Sequence, residues 1–285
     1  MIDVVKQVRA AFSLLNPDQV RKMAARPVSI GLVATTDRGY QELEDFLIPV
    51  SLPNEVRDRL RETIHRAGDP RVPPQVDMVL YEAGLRCPEG AFRYHPEDPE
   101  LTVREILKAN DDLSLALARR YPAFRKAVVE RTIMAVAKEN TMFAVATALP
   151  NVVPNLFELP WAFGEFASDT VFLTVNQVRM AFVIAAACGA EVGLSQQKGA
   201  VLSIVGAAFG WRTIARELAG KIPLGGGLIP KGAIAFAGTF AVGKGLERFH
   251  HGNVSYTRQQ SDEVYRQALE RGKEAAQSIT GTSGR

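Results

Sequence analysis

Apolar residues in the N-terminal half of the chain fall into short β-rich runs that alternate with helical patterns. The runs from Pro27 to Thr35 and from Val76 to Tyr81 are typical of buried strands. Helical spacing follows the first run over Tyr40 to Leu47, and a second helix is predicted from Asn54 to Ala67. Two strands joined through helices predict a right-handed parallel βαβ unit.

Further elements are predicted on both sides of this unit. Residues 1–15 place their apolar side chains on one face, and we expect this helix to pack on its own domain rather than on lipid, because its two cations are few for an interfacial anchor. Asn16 and Pro17 begin another helix, which runs through Ala25. The remaining predictions are a short edge strand over residues 91–94, a helix over 101–110, and helices over 111–148 with a break at Tyr121 and Pro122.

The stretch from residue 148 to residue 244 is the most apolar part of the chain, and charges interrupt it only at wide intervals. A helix that spans a membrane needs about 20 apolar residues. The longest uncharged run, Asn140 to Phe157, contains Pro150 and Pro154, which disfavours a simple spanning helix. Helical hairpins that enter a membrane and a tightly packed soluble bundle both remain open. Residues 256–277 are predicted to form a mostly solvated helix, and residues 278–285 to be disordered.

The pattern as a whole predicts an α+β chain, in which a small βαβ unit precedes a mostly α-helical bundle or hairpin domain. A chain of 285 residues is long enough for two domains. The predicted divisions are N-terminal helices over 1–26, the small α/β domain over 27–110, the helical domain over 111–252, and a polar helix with its tail over 253–285.

Charge and cysteine content exclude several classes of function. The net charge is only +3 and no block of Lys and Arg is present, so we expect no nucleic-acid partner. Cys87 and Cys188 are far apart and belong to no metal-binding spacing, which argues against a disulfide framework or a zinc site. The N-terminus lacks the features of a signal peptide, and we expect the bulk of the protein on the cytoplasmic side.

The turn after the first predicted strand has the setting of a phosphate-binding loop. Such a loop uses glycines to curl backbone N–H groups around the phosphates, a Lys to reach them, and a Ser or Thr to hold Mg²⁺. The motif laid on residues 30–41 keeps Gly39, but it has Ala34 at the first glycine, Tyr40 at the lysine and Gln41 at the Mg²⁺ ligand. The residues left to contact a nucleotide are Thr35, Thr36, Gly39 and Glu82.

The second predicted strand ends at the place where a small GTPase carries Asp-x-x-Gly. Glu82 falls on the Asp, Gly84 comes one residue early, and no Asn-Lys-x-Asp motif follows. The segment from Pro27 to Gly84 therefore resembles a truncated, degenerate GTPase domain. We favour a βαβ scaffold that binds no nucleotide.

Several short motifs follow in order over residues 144–249. Pro150 and Pro154 come first, Asn176-Gln177-x-Arg179-Met180 follows, and Lys221-Ile222-Pro223 precedes three glycines. These motifs resemble an uncharacterised bacterial family, a helical domain of unknown function found alone or fused behind Era-like GTPase domains. The resemblance implies GTPase association and membrane proximity, with no assigned chemistry. The missing loop Lys and Ser or Thr argue against GTP hydrolysis.

Polar groups in the apolar region are the other candidate site. Glu158, Glu165 and Asp169 are spaced to share one helical face. A buried charge is costly unless it is paired, so we expect Arg179 to pair with Asp169 or Glu165, in preference to an ion or proton site. No nearby His or Cys completes a metal set. The full set of candidates is Glu158, Glu165, Asp169, Asn176, Gln177, Arg179 and Lys221.

The sequence therefore predicts a non-enzymatic, membrane-associated accessory or scaffold protein without a cofactor. We expect it on the cytoplasmic side of the inner membrane, as a peripheral or hairpin-inserted protein. Its expected partners are the membrane surface or inner leaflet, a protein such as a GTPase, and a second copy of the chain. Two alternatives remain open: an unorthodox GTPase that binds GTP or GDP, and a soluble, cytoplasmic helical module for oligomerisation.

Overall fold

The structure is a computed structural model and describes residues 17–66, 75–148, 169–193, 195–200, 228–252, 254 and 256–282. The predicted helix over residues 1–15 lies outside this part of the chain. Two compact units are present. The sheet unit comprises Asp18–Glu130 and Ala186–Ala190, and the helical unit comprises Met1–Pro17, Arg131–Ala185 and Glu191–Arg285. The domain boundaries given by the sequence stay a prediction.

Four parallel strands form the sheet of the first unit, in the order β2-β1-β3-β4. Ile30 in the central strand β1 lies opposite Ile64 on one side and Met78 on the other. The parallel pairing of the two predicted strands and the short edge strand are thus confirmed. The strands are β1 Ile30–Val33, β2 Ile64–Arg66, β3 Met78–Tyr81 and β4 Phe92–Arg93.

Strand β2 corrects the sequence prediction of one helix from Asn54 to Ala67. The helix ends at Arg61, where the Thr63 hydroxyl donates a hydrogen bond to the Leu60 carbonyl at 3.0 Å. The Thr63 carbonyl then accepts a hydrogen bond of 2.9 Å from the Ile30 backbone N–H. Pairing with the open edge of β1 outweighs the helical spacing that Ile64 shares with the residues before it.

Proline and capping residues set the helix boundaries of the sheet unit. Asp98 caps a helix that has Pro99 in its first turn, and its carboxylate accepts a hydrogen bond from the Leu101 N–H at 3.0 Å. The predicted break at Tyr121 and Pro122 is confirmed. The helices are α1 Pro17–Ala25, α2 Asp37–Leu47, α3 Asn54–Arg61, α4 Pro99–Ala109, α5 Ser114–Arg120 and α6 Pro122–Ala146, and a 3₁₀ turn at Asp111–Leu113 precedes α5.

The core of the sheet unit consists of apolar side chains from the sheet and the helices. Tyr121 is fully buried within it, and its hydroxyl lies 2.7 Å from the Thr63 hydroxyl. This hydrogen bond satisfies a polar group that would otherwise be costly to bury. The main contributors to the core are Ile30, Leu32, Leu43, Leu47, Leu80, Ile106, Leu117 and Phe124.

The helical unit contains the rest of α6, most of α7 (Asp169–Ala187), α8 (Leu228–Gly252) and α9 (Arg258–Thr282). Its helices approach one another closely at glycines. A Cβ on Gly243 would lie 2.7 Å from Cγ1 of Ile133, and a Cβ on Gly272 would lie 2.7 Å from the carbonyl oxygen of Ala233. Within the described ranges, no helix is both long enough and apolar enough to cross a membrane.

Helix α9 is longer than predicted. Most of its described side chains are exposed or half-buried, as expected for a mostly solvated helix, but it continues to Thr282, whereas the sequence predicts disorder from Ser278 onward. Its Tyr265, Ala268 and Ala276 are buried. Small residues at helical spacing, which include Ala268, Gly272 and Ala276, form the face of α9 that packs closely against α8.

Candidate functional site

The order of the strands creates a topological switch point between β1 and β3. The chain leaves β1 through α2 and α3 to reach β2 on one side, and β3 lies on the other side of β1. In open parallel sheets, ligands bind beyond the carboxyl ends of the strands at such a point. Residues 34–36 follow β1 and residues 82–84 follow β3, so the segments with the predicted nucleotide-contacting residues meet here.

Thr36 shapes the turn between β1 and α2. Its backbone is extended, and its hydroxyl accepts a hydrogen bond of 3.0 Å from the Gly39 backbone N–H. This contact satisfies one of the N–H groups that a helix leaves free in its first turn. The side chain of Thr36 therefore takes a donor that a bound phosphate could otherwise use.

Glu82 reaches this turn from the end of β3. Its Oε2 atom accepts hydrogen bonds from the Thr35 backbone N–H at 2.9 Å and from the Thr35 hydroxyl at 3.1 Å. The Glu82 N–H donates to the Val33 carbonyl at 2.9 Å, which extends the β1–β3 pairing and fixes the position of the residue. A Cβ on Gly39 would overlap the Glu82 carboxylate.

The carboxylate of Glu82 thus lies against the first turn of α2. The N-terminus of a helix carries a partial positive charge and attracts anions, which is the property that phosphate-binding loops use. Here an acidic side chain of the chain itself lies at that position. Gly39 is the residue that leaves room for it.

Arg66 is a cation at the same end of the sheet, at the end of β2. Its guanidinium lies 3.0 Å from the Asp37 carboxylate and 4.8 Å from the centre of the Tyr40 ring. Tyr40, which stands at the lysine position of the motif, therefore packs against a cation. Among the residues that the structure describes, no group of three His, Cys, Asp or Glu could hold a metal ion.

A second polar feature, the buried amide cluster, lies in the helical unit and consists of Asn140, Asn176, Gln177 and Thr239. The Asn140 amide donates to the Thr239 hydroxyl at 2.8 Å, and the Asn176 amide donates to Oδ1 of Asn140 at 2.9 Å. Gln177 donates to the same hydroxyl at 3.2 Å, and Thr239 donates to the Ala235 carbonyl at 2.8 Å. The cluster joins α6, α7 and α8.

The four side chains of the buried amide cluster are at most 7% exposed. In the described part of the chain, Oδ1 of Asn176 is buried without a hydrogen-bond partner. Buried polar groups are costly unless satisfied, so hydrogen bonds between helices favour one register over others that would leave more groups unsatisfied. The cluster therefore sets how these helices align.

The other predicted polar residues have different outcomes. The Arg179 guanidinium lies 2.6 Å from the carboxylate of Glu139 on α6, a partner that the sequence did not suggest, and both side chains are about one-third exposed. Asp169 is the first residue of α7. Glu158, Glu165 and Lys221 lie outside the described residues.

Sequence reasoning missed Glu139, Asn140 and Thr239. Asn140 and Thr239 are polar residues inside apolar helical segments, which is the same signal that singled out Asn176 and Gln177. Applying that signal to residues 122–146 and 228–252 would have found both. Their pairing requires the relative register of α6 and α8, which lie far apart in the sequence.

No protein-family model, no curated protein and no solved structure matches this chain. The resemblances to a degenerate GTPase domain and to a GTPase-associated helical domain therefore stay predictions from motifs. The proposals that follow rest on the residues and their geometry.

Proposed function

We propose that this protein is a non-enzymatic accessory or scaffold protein whose sheet unit is a degenerate nucleotide-binding fold. The observation that carries the proposal is the Glu82 carboxylate, which accepts two hydrogen bonds from Thr35 and lies against Gly39. A nucleotide phosphate would need the same place and the same Thr35 N–H. The unit therefore serves as a scaffold for protein contacts and binds no GTP or GDP at this point.

Electrostatics support this reading. Two like charges about 4 Å apart repel each other by about 4 kcal/mol at the effective dielectric of a protein surface. A phosphate beside Glu82 would meet this repulsion, and the lysine that offsets it in a phosphate-binding loop is replaced by Tyr40. The Arg66 charge at this edge is already paired with Asp37.

Removing the carboxylate tests the proposal. Glu82→Ala frees the Thr35 N–H, so this variant should bind inorganic phosphate more tightly than the wild-type chain in calorimetric titrations. Glu42→Ala is the control, since it removes the same charge from an exposed position on α2. In the Glu82→Ala background, Gly39→Val should abolish the gain.

Two results would contradict the assignment of the Glu82 carboxylate to the anion position. One is phosphate binding that Glu82→Ala leaves unchanged, and the other is an equal gain in Glu42→Ala. Nucleotide binding by the wild-type chain that depends on Gly39 would instead favour the alternative of an unorthodox GTPase.

We propose that the helical unit binds the membrane surface and a protein partner, such as a GTPase. We also propose that it associates with a second copy of the chain. The support is the apolar sequence over residues 148–244 and the motif resemblance. A peripheral position on the cytoplasmic face of the inner membrane agrees with the finding that no described helix is suited to span.

Flotation of the full chain with liposomes tests the membrane part of this proposal. We expect a fraction of the protein to float with the lipid at physiological salt. A protein that stays wholly in the dense fractions, and wholly in the supernatant of lysed cells, would refute membrane association. It would leave the soluble oligomerisation module, for which size exclusion without detergent is the test.

A further inference from the structure

The sheet unit contains a cavity of about 440 Å³ that is separate from the switch point. Its lining comes from the end of α1, from α3, from α5, from the start of α6 and from Gly189. Small-molecule sites commonly measure about 300 to 1,000 Å³. The described residues that line it include no acidic side chain and five arginines, Arg26, Arg59, Arg119, Arg120 and Arg125.

Among the residues that the structure describes, one of these five arginines has a carboxylate partner. Arg26 lies 2.6 Å from Asp112. Within the described part of the chain, the other four have no carboxylate within 4.0 Å and contact neutral oxygens instead. Arg59 donates to the Glu55 carbonyl, and Arg119 donates to the Ala190 carbonyl. Arg125 donates to the Ala118 carbonyl, and Arg120 donates to the Thr63 hydroxyl.

Other arginines of the same unit do have carboxylate partners. Arg57 pairs with Asp45 at 2.9 Å, and Arg61 pairs with both Glu44 at 2.7 Å and Asp58 at 2.9 Å. These two side chains lie on α3, as Arg59 does. Among the described residues, the positive charge of Arg57 and Arg61 is thus balanced by carboxylates, whereas that of Arg59, Arg119, Arg120 and Arg125 is not.

Helix capping accounts for part of this arrangement. Arg119 donates through Nη1 to the carbonyls of Ala186 and Ala190, and Arg125 donates to the carbonyls that end α5. Arginine is favourable at helix C-termini for this reason. A guanidinium has five N–H donors, however, and these contacts use only some of them.

Burial makes the uncompensated charge unfavourable. Arg119, Arg120 and Arg125 are half-buried. Burial lowers the pKa of the Arg125 guanidinium, because a charge is less stable away from water. A bound anion would relieve this cost and the repulsion among the arginines. Apolar side chains in the lining, including Leu52, Val56 and Leu60, provide contact for an uncharged part of the ligand.

We propose that this cavity binds a ligand that carries two or more phosphate groups, either as a soluble phosphorylated molecule or as a phospholipid headgroup. Guanidinium groups bind phosphate through paired N–H donors, and several of them around one cavity favour a polyanion over a single charge. The site is independent of the switch point, so its failure and the failure of the proposed function can be told apart.

The test is calorimetric titration of inorganic triphosphate into the full chain and two variants. We expect saturable binding at one site per chain, which weakens as the salt concentration rises. The double variant Arg59→Ala/Arg120→Ala should lose about ten-fold in affinity or more, since two charged hydrogen-bonding groups are removed. The control is Arg61→Ala, which removes one positive charge from α3 outside the cavity, and it should stay within about two-fold of the wild type.

Vesicles distinguish the two sources of the phosphate groups. Binding to vesicles with cardiolipin, whose headgroup carries two phosphates, that is absent with pure phosphatidylcholine and lost in the double variant would identify a lipid headgroup. Binding of triphosphate alone would identify a soluble ligand. No saturable binding of either probe, or an equal loss in Arg61→Ala, would overturn the proposal. Should the double variant fail to fold by circular dichroism, Arg59→Glu at an exposed position replaces it, with the same expected loss.

Discussion

The buried amide cluster of the helical unit gives a stability prediction that can be worked out bond by bond. The change is Asn140→Leu, which replaces a fully buried amide with an apolar side chain of similar size. It removes the hydrogen bond from Asn140 to Thr239 and the acceptor for the Asn176 amide. Thr239 still donates to Ala235 and still accepts from Gln177.

The expected loss of stability comes from the Asn176 side chain. In the described part of the chain its Oδ1 has no partner, so the substitution would leave both ends of a buried amide unsatisfied. An unsatisfied buried polar group costs about 1 to 3 kcal/mol, and the lost network bond adds to this. We expect Asn140→Leu to lower the free energy of unfolding by about 2 to 4 kcal/mol.

The double variant Asn140→Leu/Asn176→Leu separates hydrogen bonding from packing. It removes both partners at once, so its cost should be smaller than the sum of the two single costs by about 1 kcal/mol or more. The assay is urea unfolding followed by circular dichroism. Thr141→Val is the control in the same helix, because within the described part of the chain the Thr141 hydroxyl bonds to the Ala137 carbonyl one turn earlier and not to another helix. Additive single costs, or an Asn140→Leu cost no larger than that of the control, would refute the reasoning.

Two further predictions concern helix α9. Gly272→Ala would place a Cβ 2.7 Å from the Ala233 carbonyl oxygen, so it should destabilise the chain by about 1 to 3 kcal/mol. The Cβ of Gly245→Ala would meet no described atom closer than Tyr256 at 4.0 Å, so this variant on α8 should be neutral or stabilising. Similar melting curves for the two variants would contradict the close contact of α8 and α9. Burial raises the pKa of Tyr265 to about 12, so the folded chain keeps this proton after the unfolded chain has lost it at about pH 10. Stability should therefore fall by about 2 kcal/mol more between pH 10 and 12 in the wild type than in Tyr265→Phe, and identical pH profiles would contradict the assignment.

Much of the sheet unit could be predicted because its signals are local. The apolar run before Thr35 and the break at Tyr121 and Pro122 are both readable from adjacent residues. Strand β2 was missed since Ile64 continues the helical spacing of α3, and only pairing with β1 makes it a strand.

The chemistry of the two sites could be predicted only in part. The motif position of Glu82 predicts contact with a nucleotide, but the contact of Glu82 with Thr35 joins residues from two different strand ends. Whether a carboxylate contacts a ligand or occupies the ligand's place depends on that geometry. In the same way, polarity pointed to Asn176, while its partner Asn140 depends on how α6 and α7 align. The arginine-lined cavity combines residues from four helices, and none of them forms a sequence motif.

The most direct test of the central claim is a calorimetric titration of GTP with Mg²⁺ into the full wild-type chain and into Gly39→Val. Because the Glu82 carboxylate lies at the anion position, we expect no nucleotide binding that depends on Gly39, and the two titrations should agree. Any binding at the arginine-lined cavity would survive Gly39→Val and be weakened by Arg59→Ala/Arg120→Ala. Wild-type binding with a dissociation constant below about 10 μM that is lost in Gly39→Val would contradict the account and make the sheet unit a working nucleotide site.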